Sequence, residues 1–189
     1  MQNFTTAKAF EQQWRTNPHS RDRLMIALQK AYPERQLLNV HWSHLLNDKA
    51  GIDAWLEFKG GTMLAVDFKF RTFRHTDSWV TIETISDVAE NKEGWAQKVT
   101  PCREMLFVRA QVNGVITDVL RVDSVALREL ACTRINELKS VGEVRQSKSK
   151  GSYSDWVGEF VALKPDSLVD LLPSRAKHVQ IVGGAHDSN

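Results

Sequence analysis

At 189 residues, with 42% hydrophobic and 25% charged residues, the chain has the make-up of one folded domain with a sizeable core, which excludes a disordered or fibrous polymer. The formal net charge of +2 neither requires nor excludes a polyanionic partner, so the placement of charge matters more than its sum. No apolar run approaches the roughly 18 residues of a membrane span. The N-terminal MQNFTTAKAFEQQW lacks the apolar core of a signal peptide, and Cys102 and Cys132 sit in no CxxC pair, so buried free thiols in a cytoplasmic protein are expected.

In chain order, Thr6–Trp14 reads as a short helix broken at Asn17-Pro18. Ser20 is a plausible cap for a helix over Arg21–Tyr32, whose Leu24, Ala27, Leu28 and Ala31 recur at helical spacing until Pro33 stops it. Leu37–Lys49 is ambiguous. Two strands flank Gly60-Gly61, and a third covers Ser78–Ile85. Asn91–Gln97 reads as a turn entering a short helix at Gly94-Trp95. Glu104–Val112 and Val115–Val122 form a hairpin about Asn113-Gly114. Asp123 or Ser124 can cap a helix over Val125–Leu138, and the polar, basic stretch Lys139–Gly151 reads as a mobile loop. A strand over Asp155–Leu163 and a short helix over Pro165–Leu172, capped by Asp166 or Ser167, complete the pattern. The order predicts one α/β (α+β) domain over residues 1–175, with a mixed central sheet flanked by helices and a flexible tail over 176–189.

One stretch stands out. The run LAVDFKF carries Asp67 and Lys69 inside an otherwise apolar strand. Strand side chains alternate, so Val66, Phe68 and Phe70 share a buried face while Asp67, Lys69 and Arg71 share the other. An acid and a lysine two residues apart on one face suit phosphodiester hydrolysis, in which carboxylates hold Mg²⁺ and the lysine orients water or offsets developing charge. One carboxylate holds such an ion weakly, so a second should converge, and Asp53 is the candidate. Convergence sets a condition on the turn. A two-residue Gly60-Gly61 turn puts Asp53 on the wrong face, whereas an odd-length loop, Gly60-Gly61-Thr62, sets Asp53 opposite Lys69. A bulge would serve equally. Without Asp53, D-x-K is a common pattern and reads as a surface ion pair.

These residues resemble the PD-(D/E)XK nuclease superfamily, in which an acid near the start of one strand is followed by (D/E)-x-K on the next: here Asp53 in GID, then Asp67-Phe68-Lys69 in VDFKF. The later runs SWVTIETIS, EGWAQK and CREMLFVRA look like small, often phage-encoded members, and the resemblance covers roughly residues 20–110. Ile52 stands where the signature has proline. The resemblance implies a restriction-endonuclease-like core, with the site at one end of the central strands. It also implies Mg²⁺ (or Mn²⁺) on Asp53 and Asp67, catalysis by Asp53, Asp67 and Lys69, and DNA as substrate, with RNA an open alternative. Glu83 in VTIETI is a further catalytic or metal-ligating candidate, against an exposed strand residue. Glu11 and Asp22 from the first helical region, and Gln97 or Lys98, are weaker ones.

A basic and aromatic cluster adjoins these residues. Lys59, Arg71, Arg74 and His75 are expected to neutralise phosphates, with Lys148 and Lys150 of the later basic stretch gripping the backbone. Phe73 and Trp79 could stack on an unpaired base, and nothing reads base identity. His41 and His44 lack a third metal ligand, and the tryptophans are most simply packing residues. No P-loop, dinucleotide fingerprint or G-x-S-x-G motif occurs. Two classes remain: a metal-dependent nuclease, or a catalytically inactive binding protein on the same scaffold, such as a phage-encoded inhibitor or adaptor of a host enzyme. A homodimer is among the open assemblies, and no membrane partner is expected.

Overall fold

The computed structural model describes residues 12, 14–43, 50–72, 79–111, 113–150 and 155–181. The expected Thr6–Trp14 helix lies outside the described residues except at residues 12 and 14, which are helical, and the helical turn runs on to residue 16. Helix α1 runs Pro18–Ala31. Its cap is Asn17, whose side chain accepts from the Ser20 backbone N–H at 3.3 Å. Pro18, read as a breaker, instead opens the helix at a position where a missing N–H costs nothing. Ser20, read as the cap, is buried in the first turn.

The strands are β1 (Leu37–Trp42), β2 (Ala54–Phe58), β3 (Thr62–Thr72), β4 (Val80–Asp87), β5 (Lys92–Glu93), β6 (Glu104–Ala110), β7 (Ile116–Asp123), β8 (Glu143–Lys150), β9 (Asp155–Leu163) and β10 (Ala176–Gln180). The remaining helices are α2 (Ser124–Thr133), α3 (Ile135–Val141) and α4 (Pro165–Leu171), with a 3-10 turn at Trp95–Gln97. Six strands form a mixed sheet in the order β1-β2-β3-β6-β7-β10, parallel only between β3 and β6. A second, antiparallel sheet has the order β5-β4-β9-β8.

The alternation expected of β3 organises the core. Val66 and Phe68 pack with Leu106 and Val108 against Leu24, Leu28 and Ala31 of α1. On the opposite face Ala65, Met105, Phe107, Leu120 and Val122 join Leu127 and Leu130 of α2 and Leu168 of α4. The same cluster takes in Val80, Ile82, Val161 and Leu163, so one apolar body joins the two sheets. Each fully buried side chain of this kind contributes roughly 1.5–3 kcal/mol.

Four expectations change. The stretch expected as a mobile loop is the end of α3 followed by β8, paired along its length from Glu143↔Ala162 to Lys150↔Asp155. An exposed edge strand is held by its ladder rather than by apolar burial, which removes the hydrophobic signature and leaves the lysines that protect edges. The long helix after Asp123 breaks at Arg134 (φ −122°, ψ 31°), with Asp123 as the cap of its first half. No side chain caps α4. Residues 176–180, expected as tail, add β10 to the sheet edge beside β7.

Candidate active site

The loop between β2 and β3 has three residues, Lys59-Gly60-Gly61, with Phe58 opposite Thr62. Gly60 (φ +93°) and Gly61 (φ +79°) adopt left-handed backbone that a side chain would strain. The odd length required for convergence is therefore present, one residue earlier than expected. The ladder ends at Ala54↔Val66, and continuing that register by one residue sets Asp53 opposite Asp67 rather than Lys69. At this end the Asp53 N–H donates to the Val66 carbonyl at 2.9 Å, and the Asp53 carboxyl accepts from the Phe68 N–H at 2.7 Å. That carboxyl thus replaces a backbone acceptor at the frayed end of the ladder, which fixes its orientation.

Asp53 (8% exposed) and Asp67 (6%) are both buried, so Asp67 and Lys69 are not a surface ion pair. Lys69 Nζ lies 2.8 Å from Asp67 Oδ1 and 2.7 Å from Oδ2. It also sits 5.0 Å from the centre of the Trp95 ring, a cation–π contact. Burial, then the charge of Asp67 and a hydrogen bond between the two carboxyls, push Asp53 up to about 8. The site as folded therefore carries one proton more than two free carboxylates would. Two oxygen-donor carboxyls in contact, held by Lys69 and by the Phe68 N–H, form an acid pair of the kind that can take a hard cation in exchange for the retained proton. Among the described residues no group of three or more acid, histidine or cysteine ligands occurs. A cation held here would draw most of its shell from water and phosphate, as Mg²⁺ commonly does.

Glu83 has a different place. Its Oε2 accepts from the Trp95 backbone N–H at 3.1 Å, so it anchors the 3-10 turn that carries the Trp95 ring. Gly94 makes this possible: an added Cβ there would lie 2.2 Å from the Glu83 carbonyl oxygen. Glu83 thus reaches Lys69 through Trp95. Gln97 faces away, donating to the Ala131 carbonyl, while its own carbonyl accepts from Arg128 Nε. Lys98 and Asp22 are exposed, and Glu11 lies outside the described residues.

The expected phosphate-binding residues do not form one patch. Arg71 is half-buried and committed internally, bonding Thr81 Oγ1 of β4 through its Nε and Nη2 and the Phe70 carbonyl through Nη1. Lys59 is exposed but at the far end of the hairpin, about 20 Å from Asp53 at strand spacing. Lys148 is exposed on β8. Arg74 and His75 lie outside the described residues, as do Phe73, His44 and the side chain of Lys150. Trp79 is buried and His41 pairs with Glu57, while Cys132 is exposed rather than buried.

Sequence reasoning missed Arg15, whose Nη2 lies 3.9 Å from Asp53 Oδ1 and whose guanidinium covers the Trp42 ring at 5.2 Å. Trp14 beside it stacks on Phe70 at 5.4 Å. The segment before α1 therefore reaches both the acid pair, through Asp53, and the apolar face of β3, through Phe70. No spacing signal links residues so far apart in sequence. No protein-family model matches the chain, and no curated protein matches it in sequence.

Proposed function

We propose that the protein is a divalent-metal-dependent nuclease of PD-(D/E)XK type that hydrolyses phosphodiester bonds in DNA. The observation that carries this reading is the buried contact between Asp53 and Asp67 with Lys69 hydrogen-bonded to the second acid. The three residues named by the motif meet on one face of two neighbouring strands, through the odd-length loop their convergence demands. The mixed sheet, flanked by helices and with the acids on its inner strands, accords with a restriction-endonuclease-like core.

Asp53 and Asp67 would hold Mg²⁺ or Mn²⁺, which supplies Lewis acidity at the scissile phosphate and makes water a stronger nucleophile. Asp53 must first give up its proton, while the Phe68 N–H holds the carboxylate in place. Lys69 is the proton-rich group of the site. Held between Asp67 and the Trp95 face, it can orient the attacking water or balance charge on the phosphate. Glu83 positions Lys69 from behind, by fixing Trp95.

A panel of linear, nicked, branched and single-stranded DNA and of RNA, incubated with Mg²⁺ and with Mn²⁺, tests the reading by comparing wild type with Asp67→Ala. Metal-dependent cleavage lost in the variant supports it. Absence of cleavage on every substrate, or equal cleavage by both proteins, overturns it.

A further inference from the structure

The acid pair stands where the sheet opens. Strand β2 leaves β3 after Ala54↔Val66, so among the described residues β3 runs on from Asp67 to Thr72 with a paired strand on its β6 side alone. Groups from both faces of the sheet reach that gap. Lys69 comes from the face it shares with Asp67. Arg15 comes from the other face, where Trp14 stacks on Phe70 and the Arg15 guanidinium lies 5.2 Å from the centre of the Trp42 ring. Its Nη2 stands 3.9 Å from Asp53 Oδ1, while Asp53 Oδ2 accepts from the Phe68 N–H.

Such an arginine can brace the chain or bind a ligand. Bracing the segment before α1 is already the work of Trp14, which is fully buried with its ring plane 1° from that of Phe70. Burying an indole stabilises far more than an ion pair that water reaches and whose atoms stand too far apart for a hydrogen bond. The Arg15 and Lys69 side chains keep 18% and 23% of their surface exposed, so both cations meet solvent beside the acids. Contact with the Trp42 face holds the guanidinium in place without using its N–H donors.

The ligand follows from charge and shape. A divalent cation on Asp53 and Asp67 would take up the charge of both acids, which leaves Lys69 and Arg15 as two cations on either side of whatever anion the site draws in. The planar fork of a guanidinium matches two oxygens of a phosphate. We propose that Arg15 is a phosphate-binding residue of the acid-pair site, brought to the Asp53 side by the segment before α1 to grip the phosphodiester backbone, with Lys69 on the Asp67 side. The inference rests on the nuclease reading for its substrate, yet its test does not need cleavage.

Binding of a fluorescently labelled DNA duplex is measured by anisotropy in Ca²⁺, for wild type, Arg15→Ala and Arg15→Lys, with Mn²⁺ titrations and thermal melts of the three proteins without DNA. Arg15→Ala should weaken DNA binding about tenfold and lower its salt dependence by about one counterion. Arg15→Lys, which keeps the charge but not the fork, should lose less affinity and keep the salt dependence, and it carries the test if Arg15→Ala does not fold. Mn²⁺ should bind Arg15→Ala severalfold more tightly, because a positive neighbour of Asp53 is gone, while the melting temperature moves by no more than a few degrees. Mn²⁺ affinity and melting temperature falling together would mark Arg15 as a brace and overturn the proposal. DNA binding unchanged in both variants, or no DNA binding by wild type, overturns it as well. Cleavage lost in Asp67→Ala with DNA binding indifferent to Arg15 defeats the Arg15 role alone. DNA binding that depends on Arg15 without cleavage under either metal defeats the nuclease reading alone.

Discussion

Two clusters of buried charge lie back to back in the six-stranded sheet, at neighbouring positions on β3 and β6, and they are balanced differently. On the α1 face, Glu104, opposite Val66, accepts from Tyr32 Oη at 2.6 Å and from Arg121 Nε and Nη2 at 3.1 Å each. Arg121 also donates to the Ala31 carbonyl and to Glu34, and covers the Tyr32 ring at 3.6 Å. Burial, then Glu104, holds the Tyr32 hydroxyl well above its ordinary value, so it stays a donor. On the other face, two acids share one close lysine, one excess proton and, at 3.9 Å, the Arg15 guanidinium. The first cluster is complete as it stands and ties α1 to the sheet. The second is balanced by a proton that Asp53 retains.

The comparison can be broken from either side. The largest effect is expected at the acid pair: Lys69→Ala should lower cleavage by about 10³-fold. Circular dichroism should show the fold retained, and a variant that cleaves like wild type would remove Lys69 from the chemistry. At the complete cluster the effect should fall on stability. Arg121→Met leaves Glu104 buried without its cation and should cost about 3–5 kcal/mol in urea unfolding. Adding Glu104→Met should recover much of that loss, whereas additive losses would show that the two side chains do not act as a pair.

A subtler break lies at Asp53. Its carboxyl titrates near 8 in the folded protein against an ordinary value of 3.8, so between these values the native state holds a proton that the unfolded chain has lost. Stability of the metal-free protein should therefore fall as pH rises from about 4 to 8. Asp53→Asn should abolish that slope and raise stability at pH 8 by an amount on the order of 1–3 kcal/mol, with little change at pH 4. Thermal melts at both pH values decide this.

The smallest effect is expected at a third cluster, where His178 of β10 meets Asp118 of β7 at 3.0 Å and Asp166 of α4 at 2.8 Å. Burial opposes the charged imidazole, but the two hydrogen-bonded carboxylates outweigh it and raise His178 above 6.5. Its contribution is full below pH 6.5 and is lost as pH rises through the folded value. His178→Gln should cost about 1 kcal/mol at pH 6 and less at pH 9.

The strand alternation at VDFKF was legible in the sequence, because one apolar and one charged face leave a period-two trace. So was the convergence condition on the loop, because parity is a property of residue numbers. The clue that singled out Asp67, a charge interrupting an apolar strand, is equally present at Glu104 in EMLFV and Arg121 in VLRV. What distinguishes the two clusters is which partners the fold supplies, and that depends on register between distant strands. Asn17 was illegible as a cap because the proline after it reads first as a stop. β8 was illegible because its partner β9, not its own composition, makes it a strand. Glu83 was legible as an acid in a strand, but not as the anchor of Trp95, since only a glycine-sized approach at residue 94 brings the two together.

The three-residue loop between β2 and β3 also bears on how the molecule assembles. Bringing Asp53 to Asp67 closes only a short hairpin, an event of microseconds. Aligning β3 with β6 must gather all the chain from Val66 to Glu104, including two strands of the other sheet, β4 and β5. Loop-closure entropy makes that parallel register the slower and later event. The geometry of the acid pair is thus a local inheritance of the hairpin, whereas its burial belongs to the whole topology. A newly made chain can bring these two carboxyls together while water still surrounds them, and the electrostatic strain is incurred only when the second sheet closes over them.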